Sequence, residues 1–323
     1  MFQQCDLVNT FIKNLCFCTP KKILEDVLEA ASRLTYVETT SHGADTLHKG
    51  LAEWDIVALQ QVYSRICENR IRKLHLGSCE VIMDSTDENF YGKTQSFWIV
   101  PWTGERGVKG HFKFLVCSVK YRNRKFPIAV RMIRLGAIIS EEIGAAIESC
   151  KRAGLKIKTV LLDRGFYSAD NIRELKEQNV PYIIFARKNA LFKNLLDATN
   201  VSVIVEHEMN SRKNKSILRV QTNIALVKHI KGFDWIFATD TQLTGKEIVK
   251  TYRLRWNIET DFRVQDEARI KSKSTRPEVR LFYFIIGLLL FFVWSATQKF
   301  KISFKKFIIM LSKTEIEEKI QFE

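Results

Sequence analysis

The sequence predicts an α/β fold with helices packed on a sheet, and three observations predict it. Short apolar runs of the kind that buried strands show occur at residues 79–83, 159–162 and 182–186. Helical segments at residues 140–153 and 168–178 alternate with them, as a helix-covered sheet requires. The first two runs, VIM and VLL, each lead straight into an aspartate, Asp84 and Asp163.

The elements follow in order. Residues 1–76 read mostly helical: residues 23–31 carry apolar side chains at helical spacing. In residues 52–71, Ile56, Leu59, Tyr63 and Ile66 share one face. Pro20, ahead of Lys21 and Lys22, suits a helix start. Residues 111–121 and 126–135 are strand-like, separated by the polar turn Arg122-Asn123-Arg124-Lys125. Ser140 is placed as the N-cap of the next helix and Gly154 just past its end; Ser168 caps the following one. Residues 190–238 break the rhythm. Residues 201–205 and 217–227 look β-like, joined by MNSRKNKS, and read as a β-rich insertion. Helices return from Thr244 to the end. Residues 281–294, LFYFIIGLLLFFVW, are apolar all round but shorter than the roughly 20 residues a membrane span needs. A buried core helix is expected there, with a short membrane anchor as the alternative.

Composition narrows the function classes. The 323 residues are 46% hydrophobic, enough for a sizeable core. Lys and Arg number 51 against 36 Asp and Glu, a formal charge of +15. Such a surface attracts polyanions, nucleic acid first among them. The seven cysteines are odd in number and scattered, so neither a zinc site nor a disulfide framework is indicated, and a reduced cytosolic setting is expected. The N-terminus, MFQQCDLVNT, lacks the pattern of a signal peptide.

A third acid, Glu259, lies in the helical segment YRLRWNIETDFR, where Tyr252, Arg255 and Glu259 share one face. Three converging carboxylates with few histidines suit a hard cation, Mg²⁺ or Mn²⁺. Two such ions, about 3.5–4 Å apart, clamp the attacking and leaving oxygens of a phosphodiester. Arg255 beside them would hold DNA phosphate. Each feature also has an ordinary reading. A strand-end aspartate caps a turn, and Arg255 with Glu259 forms a helical ion pair. The order of the three acids along the chain carries the weight.

Three blocks then carry a resemblance: MDSTDENFYGK at residues 83–93, LLDRGFYS at 161–168, and YRLRWNIE at 252–259. Over residues 79–297 the sequence resembles a DDE transposase of the IS-four-like insertion-sequence superfamily, closest to its ISH-three branch. The resemblance implies an RNase H-like catalytic core with a β-rich insertion, a helical N-terminal region and a helical C-terminal end. It also implies metal-dependent cleavage at terminal inverted repeats and transfer of the freed 3′-hydroxyl onto target DNA. Asp84, Asp163 and Glu259 would be the catalytic metal ligands, two divalent cations the cofactor, and DNA the partner of a homodimer formed on the DNA ends, with no membrane involved. The expected division is residues 1–76 as a helical candidate for DNA-end binding, 77–300 as the catalytic domain with its insertion at 190–238, and 301–323 as a helical tail. One departure stands out: seven residues after Glu259 comes Asp266, where the family signature has Lys. Arg263, one turn nearer the acids, is the expected substitute.

Three basic stretches complete the reading: residues 119–134, 209–231 and 269–280. Among them Arg212, Lys213, Lys215, Lys271 and Lys273 join Tyr252, Arg255 and Arg263 as candidate DNA contacts. Solvated loops are the plainer reading of any one stretch. Rival functions are a catalytically idle DNA-binding transposase remnant and another RNase H-like nuclease or resolvase.

Overall fold

The computed structural model describes residues 6–15, 20–40, 44–102, 104, 106–213, 216–230, 232–266, 268–297 and 302–320; side chains of 20, 21, 213, 216, 256–265 and 314–320 lie outside the description. The N-terminal helices are α1 (Asp6–Asn14), α2 (Pro20–Arg33), α3 (Val37–Thr40), α4 (Ala44–Leu51) and α5 (Ile56–Leu74). Then come β1 (Ser78–Phe90), β2 (Val100–Pro101), β3 (Gly110–Tyr121), β4 (Arg124–Ile133), α6 (Ile139–Arg152) and β5 (Lys156–Leu162). After a single 3₁₀ turn (Arg164–Phe166) follow α7 (Ala169–Glu177), β6 (Tyr182–Phe185) and α8 (Ala190–Asp197). Last are β7 (Val203–Lys213), β8 (Ser216–Ile230), β9 (Phe233–Thr239), α9 (Gly245–Asp266), α10 (Pro277–Thr297) and α11 (Phe304–Ile320).

The strands make one sheet in the order β2-β3-β1-β5-β6-β9-β8-β7, with β4 also pairing β3. β4, β3 and β1 are antiparallel neighbours, and β5 and β6 continue parallel to β1. This is the strand order of an RNase H-like core. Beyond it, β9, β8 and β7 extend the same sheet antiparallel, so the stretch read as a β-rich insertion joins the central sheet at β6. Most of the polar MNSRKNKS segment, expected as a connection, is strand, because β7 and β8 pair as far as Lys213 and Ser216.

Local chemistry explains most boundaries and several differences. α2 starts at Pro20, whose missing N–H costs nothing in a first turn. Ser168 caps α7 by accepting from the Asn171 N–H, and Gly154 takes a positive φ of 76° behind α6. Ser140 does not cap α6; the helix starts one residue earlier behind Ile138, and Ser140 is buried inside its first turn. Asp55 caps α5 by accepting from the Val57 and Ala58 N–H groups. Asp55→Ala is expected to lower stability by about 1 kcal/mol, read by urea unfolding.

The apolar stretch at residues 281–294 is the middle of a 21-residue helix, long enough to span a bilayer. Length therefore does not argue for a core helix; burial does. Phe292 is buried against Phe126 of β4, and Phe284 stacks on Phe114 of β3 with ring centroids 4.1 Å apart. Side chains from α1, α2, α5, α6, α7, α10 and α11 share one apolar core with the sheet. A smaller cluster of Ile82, Leu161, Ile183, Phe237 and Tyr252 seats α9 on the sheet.

Candidate active site

Asp163 follows the last residue of β5 and opens the 3₁₀ turn by accepting from the Phe166 N–H through its backbone carbonyl. Asp84 differs from the strand-end position expected for it. β1 runs on to Phe90, and Asp84 is an interior residue paired with Val116 of β3. The reason is that β1 loses only its β5 neighbour there. The parallel register ends at Met83 opposite Leu162, so the next residue on each strand is an aspartate. The carboxylates thus meet at the carboxyl edge of the parallel pair, where α/β sheets collect ligands.

Helix α9 closes the site from above. Tyr252 is buried against Phe237 and Phe185, with ring centroids 4.9 and 5.8 Å away. One turn on, the Arg255 side chain is only 5% exposed. Its Nη1 donates to Asp84 Oδ2 at 3.0 Å, and its Nη2 lies 3.6 Å from Asp163 Oδ1. Its Nε donates to the Tyr252 hydroxyl at 2.9 Å, and that hydroxyl donates to Asp163 Oδ1 at 3.4 Å. Burial pushes the Tyr252 hydroxyl above its ordinary pKa, and Asp163 adds to the shift, so the phenol keeps its proton as a donor. Asp84 itself accepts from the Ser85 N–H at 2.9 Å.

The two aspartates differ in access. The Asp84 side chain is 13% exposed and that of Asp163 41%, so the pair opens to solvent on the Asp163 side. Two carboxylates converging on one guanidinium form an oxygen-only, negatively charged site. That donor set fits a hard divalent cation. Glu259 belongs to α9 one turn beyond Arg255, but its side chain lies outside the described residues. Among the described residues no group of three His, Cys, Asp or Glu clusters for a metal.

The other candidates scatter. Sequence reasoning gives Arg255 to DNA phosphate; the structure turns it inward onto the acids. Lys213, Lys215 and Arg263 have side chains outside the described residues, while Arg212 is exposed on β7. Ser211 beside it donates to Asp170 in the first turn of α7, which carries the far half of the β7–β8 hairpin back over that helix. Lys271 pairs its backbone with Val37, and the Lys273 ammonium stands 5.3 Å over the Tyr36 ring. The basic stretch at 119–134 fits DNA contact poorly. Arg131 pairs with Glu142, Lys125 is buried, Arg124 reaches the Ala296 carbonyl, and the hairpin tip lies at the sheet edge opposite Asp84. Asp266 lines a small cavity with Thr86 and Glu88, and its carboxylate lies 3.5 Å from Arg269. Arg269 therefore already offsets the acid that replaces the expected Lys. Sequence reasoning missed Glu88, which holds Arg269 and Arg280, although Asp84, Thr86, Glu88 and Phe90 alternate at strand spacing on one face.

Residues 75–294 match the transposase DDE domain family, more than half of the chain. The chain belongs to that family. No curated protein matches the sequence. Among solved structures the fold is similar to a piggyBac transposase determined by cryo-EM in a synaptic complex with hairpin DNA. That likeness has a TM-score of 0.60 at 13% identity and covers 92% of this chain and 71% of the other. The protein is a transposase, a metal-dependent enzyme that cleaves and transfers DNA strands.

Proposed function

We propose that Asp84, Asp163 and Glu259 are the catalytic carboxylates of this transposase and together hold two divalent cations, Mg²⁺ or Mn²⁺. The observation that carries the reading is the convergence of Asp84 and Asp163, from adjacent parallel strands, on one buried guanidinium. The cations would supply Lewis-acid activation of the scissile phosphate and of the attacking water or 3′-hydroxyl. The chain's own groups do the positioning. Tyr252 keeps its proton and fixes the orientation of Asp163, and Arg255 holds the acids together. When a DNA end occupies the site, the Arg255 fork can transfer to phosphate. The substrate would be the terminal inverted repeats of an insertion sequence of the IS-four-like superfamily, in its ISH-three branch. Residues 1–76 would help recognise the ends, residues 77–300 would form the catalytic domain including 190–238, and 301–323 a helical tail. We place the reaction in the cytoplasm, on a homodimer assembled by the two ends.

The reading is tested by incubating the chain with DNA carrying the element's ends, with Mg²⁺, with Mn²⁺ and with a chelator. Strand cleavage only with the metals supports it; cleavage in chelator refutes it. Arg212 of β7 and, close to it in the sequence, Lys213 and Lys215 are proposed to contact phosphate, together with Lys271, Lys273 and Arg263. Neutralising Arg212, Lys213 and Lys215 together should make the slope of log affinity against log salt shallower by about 2.7, near 0.9 per lost contact. An unchanged slope would remove these three residues from the interface.

A further inference from the structure

Beyond Asp84, β1 carries Thr86, Glu88 and Phe90 along the same face of the sheet. This track ends at a cavity of about 710 Å³, within the range of ligand pockets. Its apolar lining includes the buried Phe90 and Ile99 and the exposed Phe97 and Leu135. Its polar groups include Lys93 and Lys109, and no carboxylate is among the described residues that line it. Phe97 is 76% exposed, an unusual state for a large aromatic side chain. Its backbone is nonetheless held: the Phe97 carbonyl accepts from the Leu135 N–H, and the Ile99 N–H donates to Ser96. Tyr91 and Trp102 are exposed nearby. A second groove of about 540 Å³ adjoins it, lined by Tyr91 and by Arg269, Lys271, Lys273 and Arg280 together with the carboxylates Asp87 and Glu88. Phe90 and Gly92 are common to both.

An exposed, backbone-anchored aromatic ring flanked by lysines is suited to stacking on a base while the ammonium groups take its phosphates. A base pair inside a duplex is stacked on both faces and offers none to such a ring, so the duplex compared with a single strand must have its ends closed by hairpin loops. We propose that this cavity binds unpaired bases of the DNA strand that runs off the carboxylate edge, with Phe97 as the stacking platform and Lys93 and Lys109 as phosphate contacts. Phe90 lies six residue steps along the strand from Asp84, roughly 20 Å at 3.3 Å each. At 3.4 Å per stacked nucleotide that is about six nucleotides, and fewer if the strand is extended. The site would therefore favour ends that are frayed or carry a single-stranded extension. The proposal rests on the reading of Asp84 and Asp163 as the place where strands are cut.

The test uses the full chain without divalent cations, so that nothing is cleaved. Affinities are measured for a ten-nucleotide single strand containing 2-aminopurine and for a duplex of the same sequence with its ends closed by hairpin loops. Wild type should quench the 2-aminopurine. Phe97→Ala should weaken single-strand binding roughly tenfold or more and remove the quenching, with duplex affinity and melting temperature unchanged. Phe97→Trp should retain both, and Lys93→Gln with Lys109→Gln should make the single-strand salt dependence shallower. Unchanged single-strand affinity in Phe97→Ala, an equal loss on duplex, or occupation by an apolar peptide that single-stranded DNA cannot displace would overturn the proposal. Cleavage by Asp84→Asn is a separate assay, so the catalytic reading and this one can fail independently.

Discussion

Asp84→Asn and Asp163→Asn are each expected to lower strand cleavage by on the order of 10³-fold or more. The amide keeps the shape of the carboxylate but loses the charge that, on the proposed reading, would hold a divalent cation and offset its field. A Lewis-acid contribution of several kcal/mol to the barrier corresponds to that rate range. The two variants should differ in stability. Asp84 is the more buried partner of Arg255, so its amide leaves a buried guanidinium partly uncompensated. Asp163 is more exposed, and its loss should cost less. Cleavage of a labelled DNA end, measured beside thermal melting of each variant, separates chemistry from folding. Cleavage within tenfold of wild type by either properly folded variant would exclude that residue from the metal site. Glu259→Gln belongs in the same series.

Much of the candidate site's geometry was legible in the sequence because its signals are local. The runs VIM and VLL are apolar because β1 and β5 are buried, and the aspartates stand where that burial ends. The Tyr252–Arg255 spacing reads directly as one helical face, and the structure places both against the aspartates. What stayed hidden depends on pairing between distant segments. No pattern within residues 78–90 shows that β3 supports β1 beyond Asp84, so the strand appeared to end at the acid. The joining of β7–β9 to β6 is likewise a register between remote segments, which alternation within each strand does not encode. Net charge does not show which cations the fold uses. In residues 119–134, Arg131 pairs with Glu142 of α6, Arg124 reaches the Ala296 carbonyl of α10 and Lys125 is buried, while Arg122 and Arg134 are exposed. Asp266 also has a cation three residues on, Arg269, at 3.5 Å, a pairing that the geometry read from Glu259 did not point to.

Arg255→Gln is expected to make the transposase both less stable without metal and more responsive to it. The guanidinium is the positive charge between Asp84 and Asp163, and its side chain is buried. Replacing it with a neutral amide leaves two carboxylates facing one another in a poorly solvated site, where like charges repel strongly. Removing one partner of a buried pair costs about 3–5 kcal/mol, and the exposure of Asp163 should bring the loss to about 2–3 kcal/mol. A divalent cation would relieve the same repulsion and would no longer compete with the guanidinium for the carboxylate oxygens. Ligand stabilisation grows with concentration over Kd, reaching about 2.7 kcal/mol at a hundredfold excess. Mn²⁺ should therefore raise the melting temperature of Arg255→Gln more than that of wild type. Adding Asp84→Asn to Arg255→Gln should recover part of the metal-free stability, since removing both charges is milder than stranding one. Cleavage by the single variant should fall even with Mn²⁺ bound, because the fork proposed to grip phosphate is gone. Equal metal responses in wild type and Arg255→Gln would show that this guanidinium does not stand in for a cation between the two acids.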